Sequence, residues 1–135
     1  MKPSVRAEID RSEKALRAAL LLSEEGLLED AISRSYYAVL HAAKAALLVH
    51  DTVAESHAAV RRLFGKMLIQ AGHIEREWAA VIANEQDQRQ MADYDVEATW
   101  EIETVRKLIE DAQAFVRRIQ DYIEGRESSA ENIKK

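Results

Sequence analysis

No cysteine occurs anywhere in the 135 residues, which excludes disulfides, thiolate metal sites and thiol nucleophiles. Proline appears once, at Pro3, and glycine four times, at Gly26, Gly65, Gly72 and Gly125. A chain without proline from Ser4 onward, rich in Ala, Leu, Glu and Arg, is suited to helices. Long apolar runs are also missing. The longest, Ala18–Leu22 and Ala45–Val49, fall far short of the roughly 20 residues needed to span a bilayer. The start, Met-Lys-Pro-Ser-Val-Arg-Ala-Glu, lacks the apolar core of a signal peptide. No glycine-rich phosphate loop, nucleophile elbow or paired-carboxylate motif is present, which counts against nucleotide hydrolysis and acyl transfer. These absences describe a soluble, cytoplasmic, all-α protein with no membrane partner.

The charge that is present is unevenly spread. The chain carries 19 basic and 24 acidic residues, a net −5, which argues against a generic nucleic-acid coat. Residues 1–29 sum to −1, residues 30–70 to +2 and residues 71–135 to −6. The middle of the chain is therefore the best electrostatic target for a phosphate. Arg61, Arg62 and Lys66 read as one solvated helix face.

Apolar spacing predicts five helices, over 4–25, 28–50, 56–71, 75–92 and 96–124. The fifth holds the i, i+3, i+4, i+7 pattern from Ile102 to Ile123 for about seven turns. Long helices joined by short links imply an up-and-down antiparallel helical bundle. The expected organisation is one helical domain over 1–124, with a polar, disordered tail over 125–135.

The second helix breaks its own pattern. At about 100° per residue, Leu28, Ile32, Ser35, Val39, Ala42 and Ala46 share a core-facing line. Opposite them stand Arg34, Tyr37, His41, Lys44 and Leu48, with no carboxylate among them. An ordinary solvent face would mix Glu with Lys. Cleavage of an RNA phosphodiester by its own 2′-hydroxyl needs a base, an acid and positive charge on the developing phosphorane. Histidine serves as base or acid near neutrality, and arginine offers a fork of donors to phosphate oxygens. One such histidine per chain suggests a symmetric dimer that brings two together. The plainer reading is a satisfied surface or interface histidine with an arginine that happens to lie two turns away.

The run Ala31-Ile-Ser-Arg-Ser-Tyr-Tyr-Ala-Val-Leu-His-Ala-Ala-Lys-Ala-Ala-Leu-Leu48 resembles the central helix of the HEPN domain family. Glu55-Ser-His-Ala-Ala-Val60, Phe64, Arg89-Gln-Met-Ala-Asp-Tyr94 and Ala112-Gln-Ala-Phe115 follow in the family's order. The resemblance implies a dimerising helical bundle. In many such proteins an arginine, four to six residues and a histidine make a metal-independent endoribonuclease site, often in the toxin of a toxin–antitoxin pair. Arg34, six residues and His41 match that signature. The implied antitoxin is a minimal nucleotidyltransferase. Other members resemble nucleotide-binding or interaction modules. Ser35 stands where the nucleases commonly carry Asn, Asp or His. Ala43 stands where a sibling branch has a tyrosine modified with AMP, and Leu40 where Phe is frequent.

The expected catalytic residues are thus Arg34 and His41, with Tyr37, Lys44 and Arg89 positioning the ligand, and with no cofactor or metal. Arg89 and Asp93 are spaced to pair on one helix face, with Tyr94 packed beneath them. His50, Asp51, Glu55 and His57 lack any metal-ligand spacing. His57 is expected at the start of the third helix, with Ser56 or Thr52 as cap. Trp78 and Trp100 read as partly buried anchors. Two functions follow: a toxin-like endoribonuclease acting on RNA at a homodimer cleft, or a non-catalytic nucleotide-binding partner of a minimal nucleotidyltransferase. A plain dimeric scaffold is the third.

Overall fold

The computed structural model describes residues 1–134, with side chains through residue 129. It is an all-α bundle of five helices: α1 (Pro3–Glu24), α2 (Leu28–Val49), α3 (His57–Phe64), α4 (Glu77–Tyr94) and α5 (Ile102–Lys134). Pro3 sits in the first turn of α1, where its missing N–H costs nothing. Gly26, at φ +77°, takes the left-handed conformation that ends α1, and the Leu27 N–H returns to the Leu22 carbonyl. Ser56 caps α3 by accepting from the Ala59 N–H at 3.0 Å.

Paired residues fix the directions. Glu8 meets His41 and Ser12 meets Ala38, so α1 and α2 run antiparallel. Ser33 meets Asp93 and Tyr37 meets Arg89, so α4 is also antiparallel to α2. Ser35 meets Leu108 and His50 meets Tyr122, so α5 runs parallel to α2. The central helix is α2. Twelve of its 22 residues are buried, and the small Ala38, Ala42, Ala43, Ala45 and Ala46 let its neighbours approach closely. The main core gathers Val5, Ile9, Tyr36, Phe64, Phe115, Ile119 and Ile123. A smaller cluster of Ala19, Ala31, Ile32, Val105, Leu108 and Ile109 lies toward the α1–α2 turn. Each fully buried large side chain contributes on the order of 1.5–3 kcal/mol. Among the described residues no helix is long and apolar enough to cross a membrane.

Three boundaries differ from the sequence expectation. The third helix does not run unbroken to Ala71: α3 gives way to a π-helical turn, Gly65–Gln70. The fifth does not begin at Val96. Asp95 Oδ1 accepts from the Glu97 N–H, an Asx turn that holds the chain out of helix until Ile102, and Val96 is 98% exposed. Nor does it stop at Glu124. Gly125 is not in the left-handed region that terminates helices, and a lone interior glycine costs only about 0.5–1 kcal/mol, so helix continues to Lys134. The backbone of α5 thus extends into the polar segment expected as a tail, as far as Lys134, and residue 135 lies outside the described residues.

Candidate functional site

The stripe that breaks the pattern of α2 is its one outward line. Ser35, Tyr36, Ala38, Val39 and Leu40 are buried, whereas Arg34 is exposed and Tyr37, His41, Lys44 and Leu48 are half-buried. Between this line and α1 lies a groove of about 380 Å³, lined by Arg11, Lys14, Ala15, Ala18, Arg34, Tyr37 and His41. Three permanent cations, Arg11, Lys14 and Arg34, thus surround one histidine.

The groove's geometry starts at α1. Val5, Ile9 and Ser12 are buried against the bundle, which turns Glu8 toward α2. His41 Nδ1–H donates to Glu8 Oε2 at 2.6 Å. An ionised carboxylate only accepts, so this contact places a proton on Nδ1; in the neutral ring Nε2 is then the acceptor. The stripe on α2 lacks a carboxylate; the folded protein supplies one from a neighbouring helix. The Arg34 guanidinium lies 4.6 Å from the centre of the Tyr37 ring.

Arg89 reaches the same ring from α4. Its carbon Cζ is 5.7 Å from the Tyr37 centroid and 5.6 Å from that of Tyr36, and Nη2–H donates to Tyr37 Oη at 3.4 Å. Asp93 holds it there. Arg89 Nε lies 2.8 Å from Asp93 Oδ2, though the N–H is not aligned for a hydrogen bond, and Ser33 Oγ donates to Asp93 Oδ1 at 2.7 Å. The expected Arg89–Asp93 pair is present. Tyr94 is not packed beneath it: its side chain is 77% exposed, because α4 ends there and the chain turns outward.

Arg34, Tyr37, His41 and Arg89 are therefore brought together, while Lys44 lies further along the stripe, beside Glu8 and Leu48. The sequence reading missed Arg11 and Lys14, which α1 brings to the groove, and two further residues. Glu8 is one. The other is His57, which does more than start α3: its ring stands edge-on to Tyr36 and Tyr37, at 5.5 and 6.1 Å. Burial holds its proton affinity below the usual histidine value, and the charges of Arg89 and Lys44 push it the same way. The spacing of Glu-Ser-His before an amphipathic helix gives no hint of this, since α3 must first fold back on α2. His50 instead pairs with Tyr122 at 2.7 Å, so the loose group of His50, Asp51, Glu55 and His57 is dispersed. Trp78 packs edge-on to Phe115, and Trp100 donates to Gln88, both half-buried as expected.

Ser35 points into the core. Its hydroxyl donates to Glu85 Oε1 at 2.6 Å, with the Leu108 carbonyl at 3.3 Å. Burial pushes the Glu85 carboxyl up to about 8, the Ser35 hydrogen bond pulls against it, and nearby Asp111 adds to the rise.

The HEPN domain model matches residues 5–122. This chain belongs to the HEPN domain family. Among its HEPN relatives is a protein of Methanocaldococcus jannaschii whose name reads "putative toxin", 35% identical over 120 residues, which are 89% of each chain. A second protein of that organism bearing the same words is 28% identical over 115 residues, 85% of this chain and 78% of the relative. A UPF0332 protein of Pyrococcus horikoshii is 42% identical over 86 residues, 63% of this chain and 61% of the relative.

Proposed function

We propose that this HEPN protein is a toxin-like, metal-independent endoribonuclease acting at a cleft between two copies of the chain. The observation that carries this reading is the groove in which Glu8 orients His41 beside Arg34, Arg11 and Lys14. The Nε2 lone pair of His41 takes the proton from an RNA 2′-hydroxyl as that oxygen attacks the adjacent phosphorus. Arg34 donates to the equatorial phosphorane oxygens, and Arg11 and Lys14 add positive field. The bond from phosphorus to the 5′-oxygen breaks, and that oxygen takes a proton from an acid. In a symmetric pair the partner's equivalent imidazole, protonated, fills that role. Products are a 2′,3′-cyclic phosphate and a 5′-hydroxyl. Tyr37, Lys44 and Arg89 position the RNA backbone. The word "toxin" in two relatives' names supports the toxin-like part of this reading, and with it an antitoxin partner. That the antitoxin is a minimal nucleotidyltransferase rests on the family resemblance alone.

The test is RNA incubated with the protein in chelator. Wild type is expected to yield cyclic-phosphate ends, and His41→Ala and Arg34→Ala each to lose about 100-fold or more in rate. Equal background in all three rules the reading out. One observation favours a second reading: Ser35, beside the arginine, is committed to Glu85 and gives the groove no polar group. A nucleotide-binding module without chemistry would use Arg34 and Tyr37 for phosphate and base. ATP would then raise the melting temperature of wild type but not of Arg34→Ala, with no RNA cleaved.

A further inference from the structure

Eight large apolar side chains are exposed among the described residues, and six of them gather at one end of the bundle. Leu20, Leu21 and Leu27 lie at the α1–α2 turn; Met91, Tyr94 and Val96 lie at the end of α4 and in the loop before α5. The two groups belong to one surface. Leu22 and Leu28 from the turn, and Ala92 and Trp100 from α4 and the loop, all pack on the same small core cluster, and Ser33 is bonded to Asp93 across it. Apolar groups this exposed, such as Val96 at 98% and Tyr94 at 77%, do nothing for the fold.

The charge around them is predominantly negative. Residues 18–33 and 90–105 hold nine carboxylates, all exposed, and no lysine or arginine. Arg17, Arg34, Arg89 and Arg106 stand at the edges of these segments. Arg89 pairs with Asp93 and Arg106 with Glu103, which leaves Glu24, Glu25, Glu29, Asp30, Asp95, Glu97 and Glu101 without such a partner among the described residues. The rest of this −5 chain therefore carries a net +4. That rim selects the occupant. RNA and an anionic lipid surface are repelled, and a second copy would set like charges against each other. A positively charged polypeptide with apolar side chains on one side satisfies both the carboxylates and the apolar groups.

We propose that this end of the bundle docks a basic, amphipathic segment of a partner protein. Leu27, Tyr94 and Val96 are its apolar anchors, and Glu24, Glu29, Glu97 and Glu101 pair with its lysines or arginines. Leu27, Tyr94 and Val96 do not line the groove between α1 and α2, so the surface stands whether or not that groove cleaves RNA.

The probe is a 14-residue amphipathic helix of leucine and lysine, titrated calorimetrically at moderate salt into the whole protein. A peptide of the same composition in scrambled order is the control. Binding of the ordered peptide is expected, weakened about tenfold or more in the triple variant Leu27→Ser, Tyr94→Ser, Val96→Ser. Val53→Ser, an equally exposed change in the α2–α3 loop, is expected to leave it unaltered. An unchanged melting temperature confirms that the triple variant is folded. Glu97→Lys with Glu101→Lys tests the rim separately and is expected to weaken binding comparably. No binding by wild type, equal binding of the scrambled peptide, or equal affinity of the triple variant and Val53→Ser would each overturn the proposal. So would a dimer that the triple variant splits to monomers, since the surface would then seat a second copy.

Discussion

Glu85 is a carboxyl placed where a charge is costly. It is buried beneath α2 with Oε2 unpartnered, and its proton is held up to a pH of about 8 against an ordinary 4.5. The folded state therefore binds a proton that the unfolded chain releases near 4.5. Stability is fully present below that value, falls as pH rises, and flattens above about 8. At about 1.4 kcal/mol per pH unit, the loss across this window is a few kcal/mol. Thermal melts from pH 5 to 9 are expected to show it, and Glu85→Gln to abolish most of it; a Gln variant with the same slope would disprove the assignment. Glu8 is the contrasting case, a carboxylate that acts through its neighbour. Glu8→Gln is expected to lower kcat on RNA about tenfold or more with KM nearly unchanged, since it orients His41 without lining the groove. Arg34, Tyr37 and His41 were legible in the sequence because one helix carries them at fixed spacing. Glu8 and His57 were not, because each joins the site only through packing between helices, which no local period records.

At the scale of elements, the helices themselves were legible and their joints less so. Chain-wide scarcity of proline and glycine left little but helix, and the apolar stripes gave the number of helices and the antiparallel links. What escaped were local contests. The Asp95 turn overrode a helical pattern that began at Val96, and Gly125 failed to stop a helix whose neighbours all favour it. The glycines separate cleanly on this basis. Gly65 has helical φ and nothing within 4 Å of an added Cβ, so Gly65→Ala is expected to raise stability by about 0.4–1 kcal/mol. Gly72 has equal space but sits at φ +83°, so Gly72→Ala is expected to destabilise by about 1 kcal/mol or more. Denaturant midpoints of the two variants check the sign of each. Another joint is clasped from outside. Arg118 on α5 holds Glu75 at 2.7 and 2.9 Å and the His73 carbonyl at 3.3 Å, tying the α3–α4 link to the long helix. The same guanidinium, with a hydrogen bond from Trp78, lowers the Glu75 carboxyl to about 2, so acid down to about pH 3 is expected to leave this clasp intact.

For the whole molecule, the arrangement around α2 separates two tasks. Its buried sides hold the bundle together, and its single outward line carries Arg34 and His41. Under the proposed dimeric enzyme, RNA binding is expected to weaken steeply with salt, and sedimentation is expected to give a two-chain mass that Arg34→Ala preserves. A monomer at micromolar concentration would contradict the shared cleft. Since Arg34 is exposed and takes no part in the core, a chain stripped of that charge is expected to fold and, under the proposed dimer, to pair with intact copies. Mixed with intact chains, such a copy would spoil every assembly it entered, so a small fraction of it would silence more activity than its own share.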